Sequence, residues 1–129
     1  MKTKILLLDD DFLINFINKK YLKNEYPVKD TYDFMSASLA LDFLRSEGVD
    51  KNLLYIIFLD INMTEMDGWE FMDILQSDFS SLNFEIHMLS SSISEEDKKR
   101  AEGYHFVNSY IDKPLNKSKL LPILESISS

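Results

Sequence analysis

The stretch Tyr55-Ile56-Ile57-Phe58-Leu59 is apolar throughout, rich in β-branched and aromatic side chains, and stops at a carboxylate, Asp60. A strand with no polar face has to be covered on both sides, which places it inside a parallel sheet flanked by helices rather than in a half-wet hairpin. Ile5-Leu6-Leu7-Leu8 has the same character and also runs into acids, Asp9-Asp10-Asp11. Ile86 to Leu89 predicts another strand, Tyr110-Ile111 a short one, and the loosely alternating segment Val28 to Phe34 an edge strand.

Helical spacing fills the intervals. Leu13, Phe16, Ile17 and Tyr21 mark a helix over residues 12–24, closed by Asn24 and, three residues on, Pro27. Ala37, Ala40, Leu41 and Leu44 mark a second, ended by Gly48. Residues 68–76 predict a third with Phe71, Met72 and Leu75 inward, and Asp67-Gly68 serves as its turn and N-cap. Ser94 with Asp97 resembles a capping box opening a fourth, and Leu120, Leu121, Leu124 and Ile127 define a fifth. Five strands alternating with five helices give an α/β, doubly wound, five-stranded parallel sheet. Right-handed crossovers then bring every strand's carboxyl end to one edge, where ligands bind in such sheets.

With 129 residues, 45% of them hydrophobic and 28% charged, the chain suits one domain, residues 1–129, able to fold alone. A net charge of −8 disfavours nucleic acid and anionic lipid as partners, because no basic patch stands apart. Lys98-Lys99-Arg100 follows Glu95-Glu96-Asp97 and reads as one solvated helix of mixed sign. Cysteine is missing, and His87 and His105 lack a ligand spacing, so zinc is not expected. The apolar run after Met1-Lys2-Thr3-Lys4 is too short for a signal peptide, and none reaches the roughly eighteen apolar residues of a transmembrane helix. A cytoplasmic protein is expected.

The strand ends are chemically matched. The first ends in Asp9-Asp10-Asp11, the third in Asp60, the fourth in Ser90-Ser91-Ser92 and the fifth in Asp112-Lys113-Pro114. Carboxylates about 4 Å apart repel by on the order of 4 kcal/mol per pair at an effective dielectric near 20, so a positive charge is required among them. A hard divalent cation such as Mg²⁺, which takes one or two carboxylates and leaves room for phosphate oxygens, meets that need, with Lys113 as a second positive group. A phosphoryl group arriving at Asp60 would be neutralised on both flanks, and Asp60, ionised at pH 7, needs no general base to act as nucleophile.

At this point the chain resembles a known family over essentially its full length. The segments "ILLLDDD", "FLDINMTEMDGWEF", "IHMLSSS" and "YIDKPL", in this order and at these spacings, are similar to those of the receiver domains of two-component response regulators. The resemblance implies a flavodoxin-like, CheY-like fold with strand order 2-1-3-4-5. It implies Asp60 as phosphoacceptor, Asp10 as direct Mg²⁺ ligand with Asp9 acting chiefly through water, and the Asn62 backbone carbonyl as a further ligand. Ser90 matches the hydroxyl that bonds a phosphoryl oxygen, Lys113 the ammonium that pairs with it, and Tyr110 the aromatic switch position. Implied partners are a sensor histidine kinase or His phosphotransfer protein and a downstream protein, with a monomer or a phosphorylation-dependent dimer as the oligomeric state. Signalling would run through the surface of the fourth helix, fifth strand and fifth helix. The protein would not be an enzyme beyond its own phosphorylation and dephosphorylation. The last helix reaches the end of the sequence, so a stand-alone receiver without an output domain is expected. Thr64 stands where the family commonly has Pro, removing a fixed φ. Ser90 replaces the more frequent Thr, and Lys113-Pro114 falls where the family uses a cis peptide.

Plainer readings apply to several of these residues. Asp11 reads as a helix cap, Trp69 as packing or surface contact, His87 as a core or edge residue, and Ser91 and Ser92 as loop. The helix over residues 94–102 offers only Ala101 as a clear apolar residue and is expected to be lightly held. Two other functions compete. Asp9-x-Asp11 imitates the nucleophile and acid of haloacid-dehalogenase-like phosphatases, which would also need an acidic metal motif where Ser90-Ser91-Ser92 stands. A receiver fold kept as a phosphorylation-independent interaction module has no physical reason to keep mutually repelling acids.

Overall fold

The computed structural model describes residues 2–25, 30–91 and 93–128. The elements alternate: β1 (Lys2–Leu8), α1 (Phe12–Glu25), β2 (Asp30–Phe34), α2 (Ala37–Glu47), β3 (Leu53–Asp60), α3 (Gly68–Asp78), β4 (Asn83–Ser90), α4 (Glu95–Ala101), β5 (Val107–Asp112) and α5 (Lys117–Ser128). All pairings are parallel and the sheet order is β2-β1-β3-β4-β5, as the resemblance implies. Pro27, the start of the expected strand at Val28, the loop residue Ser92 and the side chain of Ile127 lie outside the described residues.

The core divides into two layers on either face of the sheet. Leu6, Leu8, Ile57 and Leu59 point to the side covered by α2 and α3, where Leu41, Leu44, Phe71, Met72 and Leu75 meet them. Ile5, Leu7, Ile56 and Phe58 point to the other, against Leu22 of α1 and Leu120, Ile123 and Leu124 of α5. This alternation along strands with no polar face is what two covered faces require. Strands outrun the apolar runs that announced them. β1 reaches back to Lys2, whose N–H donates to Asn52 O at 2.8 Å, and β5 spans six residues because an edge strand carries polar side chains outward.

α1 corrects the sequence reading. Leu13, Phe16, Ile17 and Tyr21 share a face as expected, with Phe12 beside them, but the face is exposed, Leu13 at 61% and Phe16 at 51%. Asn15, Asn18 and Leu22 face inward instead. The reason lies at the helix start. Asp11 caps α1, accepting the Leu13 N–H at 2.9 Å, and the phase so fixed turns Asn15 toward the sheet, where its amide donates to Asp9 O at 2.8 Å and Phe34 O at 3.1 Å. Leu121 is likewise exposed, Ile123 taking the inward place. The other expected caps form: Asp67 accepts the Glu70 N–H, Ser94 and Asp97 make a reciprocal capping box, and Gly48 ends α2 at φ 73.

Candidate functional site

Four strand ends converge at the carboxyl edge. Asp9 follows β1, Asp60 closes β3, Ser90 closes β4 and Lys113 follows β5. Asp9, Asp10 and Asp60 each bring a carboxylate oxygen to within 4.8 Å of the others. Asp9, Asp60 and Ser90 are almost fully buried, at 1%, 4% and 1% exposure, while Asp10 is half-buried at the mouth. Lys113 Nζ lies 2.6 Å from Asp9 Oδ2 and 3.4 Å from Asp60 Oδ2. The Lys113 peptide to Pro114 is cis, and the Lys113 N–H donates to Ser90 O at 2.9 Å.

Local backbone holds the carboxylates in place. Asp9 Oδ1 accepts the Asp11 N–H at 2.9 Å, Asp60 Oδ1 the Asn62 N–H at 3.0 Å, and Asp10 Oδ2 the Thr64 N–H at 3.2 Å. Thr64, a departure from the family pattern, thus ties the loop after β3 to the acid after β1. The Asn62 side-chain amide donates to Ser90 Oγ at 3.4 Å. Glu65, at φ 63, occupies the left-handed region in the same loop.

A family model describing the response regulator receiver domain matches residues 5–125. The chain belongs to that family. The cell cycle response regulator CtrA of Brucella ovis is 31% identical over 127 residues, covering 96% of this chain and 49% of that protein. The receiver thus spans about half the length of the curated relatives it matches. A two-component response regulator from Cytophaga hutchinsonii superposes with a TM-score of 0.82 at 27% identity, over 99% of this chain and 98% of that one. The chemotaxis protein CheY4 of Vibrio cholerae, 23% identical, shares the fold with a TM-score of 0.76, over 98% and 99% of the two chains.

The receiver's electrostatics follow from burial. Desolvation holds the Asp9 carboxyl above its ordinary value, against the pull of Lys113. Lys113 suffers desolvation too, yet the hydrogen bond and charge of Asp9, with Asp60 beside it, hold its ammonium above the usual lysine value, so it is charged at neutral pH. One ammonium against three carboxylates leaves the cluster short of positive charge. The donors are all hard oxygens, the set that suits a magnesium-type cation, so the residues fit such an ion.

Of the residues singled out in the sequence, Asp9, Asp10, Asp60, Asn62, Ser90 and Lys113 come together here. Tyr110 stands apart, 38% exposed, its hydroxyl donating to Lys98 O on α4 at 3.3 Å. Trp69 is packing, 6% exposed, with the Arg100 guanidinium 4.4 Å over its ring. Two residues escaped sequence reasoning. Asn15 carries no motif, and only a polar residue on the inward helix phase could have announced it. Gly68 was read as a turn residue, but a Cβ there would lie 2.7 Å from Ile61 Cα, so α3 starts against the backbone that follows Asp60. A cavity of about 440 Å³ lined by Leu75, Phe79, Phe84 and His105 opens at the opposite, amino-terminal edge, remote from these groups.

Proposed function

We propose that this receiver accepts a phosphoryl group from a phosphohistidine of a sensor kinase or His phosphotransfer protein onto Asp60. The observation that carries the reading is the meeting of Asp9, Asp10, Asp60 and Lys113 at one sheet edge. An Asp60 carboxylate oxygen attacks phosphorus as the P–N bond to the donor imidazole breaks. The leaving imidazole takes up a proton, and Asp60 becomes an acyl phosphate. Lys113 neutralises one phosphoryl oxygen, and the Ser90 hydroxyl donates to another. Asp10, Asp60 and the Asn62 carbonyl would hold Mg²⁺, with Asp9 through water. The ion would supply charge neutralisation on the phosphoryl oxygens.

The exposed apolar face of α1 supports a protein donor. It begins at Phe12, directly after the acidic turn, and borders a groove of about 200 Å³ lined by Ile17, Tyr21, Pro114 and Leu115. α1 also carries Lys19, Lys20 and Lys23 in a chain of net charge −8, which favours a helix with an apolar stripe and acidic flanks as the docking element. Output would leave through α4, β5 and α5, with Tyr110 moving, to a downstream protein, the receiver acting as monomer or phosphorylation-dependent dimer in the cytoplasm. Among the described residues no helix is long and apolar enough to cross a membrane.

The test is intact mass after incubation with Mg²⁺ and a small acyl-phosphate donor. One labile phosphoryl adduct, lost in Asp60→Asn and retained in Asp9→Asn, is expected. An adduct lost in Asp9→Asn alone would indicate phosphatase-like chemistry, and no adduct with no Mg²⁺ binding would leave only an interaction module.

A further inference from the structure

Lys113 reaches the carboxylates only because β5 arrives in one register, and that register contains an irregularity. Ile86 pairs with Val107, but His87 pairs with Ser109, leaving Asn108 as an extra residue on β5. Beyond the slip, Met88 meets Tyr110 and Ser90 meets Asp112, and Lys113 follows. A one-residue error here would displace every later residue by about 3.3 Å and turn it to the other face. Burial does little to prevent the error. β5 is an edge strand whose only fully buried residue is Ile111. An apolar pattern so sparse specifies register weakly.

A closed polar cluster surrounds the extra residue. Glu85 Oε1 accepts from the Asn108 amide at 3.1 Å, Glu85 Oε2 contacts His87 Nε2 at 2.9 Å, and His87 Nδ1 contacts Ser109 Oγ at 2.5 Å. A carboxylate can only accept, so Nε2 carries the proton, and the neutral ring accepts from the Ser109 hydroxyl through Nδ1. Burial favours that neutral form. The ring is 4% exposed and stacks on Phe58 with centroids 5.4 Å apart, two residues before Asp60. Glu85, before the slip, binds both the extra residue Asn108 and His87 beyond it, and His87 binds Ser109, its partner in the first pair past the slip.

We propose that Glu85, His87, Asn108 and Ser109 form a register clamp at the β5 bulge, and that His87 is a positioning residue acting through Lys113 on the phosphoryl-accepting site. The kinetic part rests on the phosphoacceptor reading of Asp60; the structural part does not. Bulges next to reactive sites re-aim a side chain. Here the re-aimed group is an ammonium whose carboxylate partner, Asp9, stands 104 positions away in sequence.

Three variants test it. His87→Phe keeps a ring to stack on Phe58 and removes both nitrogens, His87→Gln keeps a donor for Glu85 and an acceptor for Ser109, and Ser109→Ala breaks one link at a half-buried position where folding is safe. The first readout is the ¹⁵N-resolved Lys113 ammonium signal, which pairing with Asp9 protects from solvent exchange. It is expected in wild type and His87→Gln and lost in His87→Phe and Ser109→Ala. The second is the rate of Asp60 phosphorylation by a small acyl phosphate with Mg²⁺. It should fall about tenfold or more in His87→Phe, since misplacing a reacting group by ~1 Å can cost up to roughly 10²-fold. In a Lys113→Met background the same substitution should change nothing further. A Lys113 signal that persists in both disrupting variants, or a rate loss that adds fully to that of Lys113→Met, overturns the clamp. If wild-type Asp60 accepts no phosphoryl group, the function proposed above fails, and the Lys113 signal still decides the clamp.

Discussion

Gly68→Ala separates two physical expectations of opposite sign. Helix propensity alone favours Ala over Gly by up to about 1 kcal/mol, less at a first helical position such as 68. The structure predicts the reverse. An added Cβ would sit 2.7 Å from Ile61 Cα, 3.1 Å from Ile61 Cγ2 and 3.2 Å from Asp60 O. Two of those atoms are backbone, so no rotamer change relieves the overlap. α3 must lift from the end of β3, lengthening the Gly68 N–H bond to Ile61 O, now 3.2 Å. Overpacking of this kind costs about 1–3 kcal/mol, which after a propensity gain of about 0.5 kcal/mol at this position leaves a net loss of about 0.5–2.5 kcal/mol. Gly103→Ala is the control. Its Cβ would meet Arg100 O at 3.4 Å, an ordinary contact, and stability should change by less than about 0.5 kcal/mol. Urea unfolding followed by fluorescence of Trp69, the single tryptophan, reads both. With a urea m-value of about 1.5 kcal/mol/M, Gly68→Ala should lower the midpoint by about 1 M. Because Ile61 adjoins Asp60, Mg²⁺ affinity and acyl-phosphate reactivity should fall too. An unchanged or raised midpoint would refute the close-approach argument outright.

Asp10→Asn, which removes a carboxylate with no ammonium partner among the described ion pairs, should raise metal-free stability by about 1 kcal/mol through relief of like-charge repulsion. It should also abolish the stabilisation by Mg²⁺ expected of wild type, about 2.7 kcal/mol at a hundredfold excess over Kd, read as a rise in Tm. Burial, opposed by Glu85, holds the His87 folded pKa below its ordinary 6.5. The unfolded chain therefore binds the proton first, and the His87 contribution to stability, full above pH 6.5, is lost as pH falls through the folded value. The urea midpoint should drop between pH 7.5 and 5.5 in wild type, and the drop should shrink in His87→Gln. Phe16→Asp on the exposed face of α1 should leave stability within about 0.5 kcal/mol and small-donor phosphorylation unchanged, while slowing transfer from a phosphohistidine protein at least tenfold, roughly the effect of one interface hot spot. Amide exchange should show α4, whose only buried residue is Ala101, opening far more readily than β3; equal protection would show that α4 is not lightly held.

The fold was legible where burial leaves no choice. β1 and β3 are apolar on both faces because both faces are covered, and the turn residues Asp67 and Gly48 act where their chemistry places them. Illegible were matters of phase and edge. Periodicity says that Leu13, Phe16, Ile17 and Tyr21 share a face of α1, but not whether that face looks in or out. The cap at Asp11 and the Asn15 amide decide it, through bonds to Asp9 and Phe34 that only the assembled sheet supplies. β5 was read as two residues because an edge strand needs no apolar outer face, and its bulge has no local signature. Of the candidate site, the acids and Lys113 could be named from strand ends, but the pairing of Asp9 with Lys113 depends on the order in which strands lie side by side. The Thr64 bond to Asp10 and the close approach of Gly68 are likewise products of assembly.

The site and its neighbouring helix differ in how firmly they are held, and that difference is what a signalling receiver requires. Asp60 and Asp9 sit at the ends of fully buried strands, so the acidic cup has no freedom to relax its own repulsion by spreading. Beyond its one buried residue, Ala101, α4 is held by contacts at its surface, Arg100 over Trp69 and the Tyr110 hydroxyl on Lys98 O at 3.3 Å, and the turn after it by the Tyr104 hydroxyl on Asp73 at 2.6 Å. Exposed hydrogen bonds exchange with water for a net of about 1 kcal/mol each, whereas releasing β3 would expose several side chains worth about 1.5–3 kcal/mol apiece. Under the proposed phosphorylation, the charge added at Asp60 would meet a sheet that cannot yield, and α4 is the more weakly held element. A perturbation of a few kcal/mol is enough to shift such an element while leaving the fold intact, and Tyr110, the proposed switch residue, touches that helix.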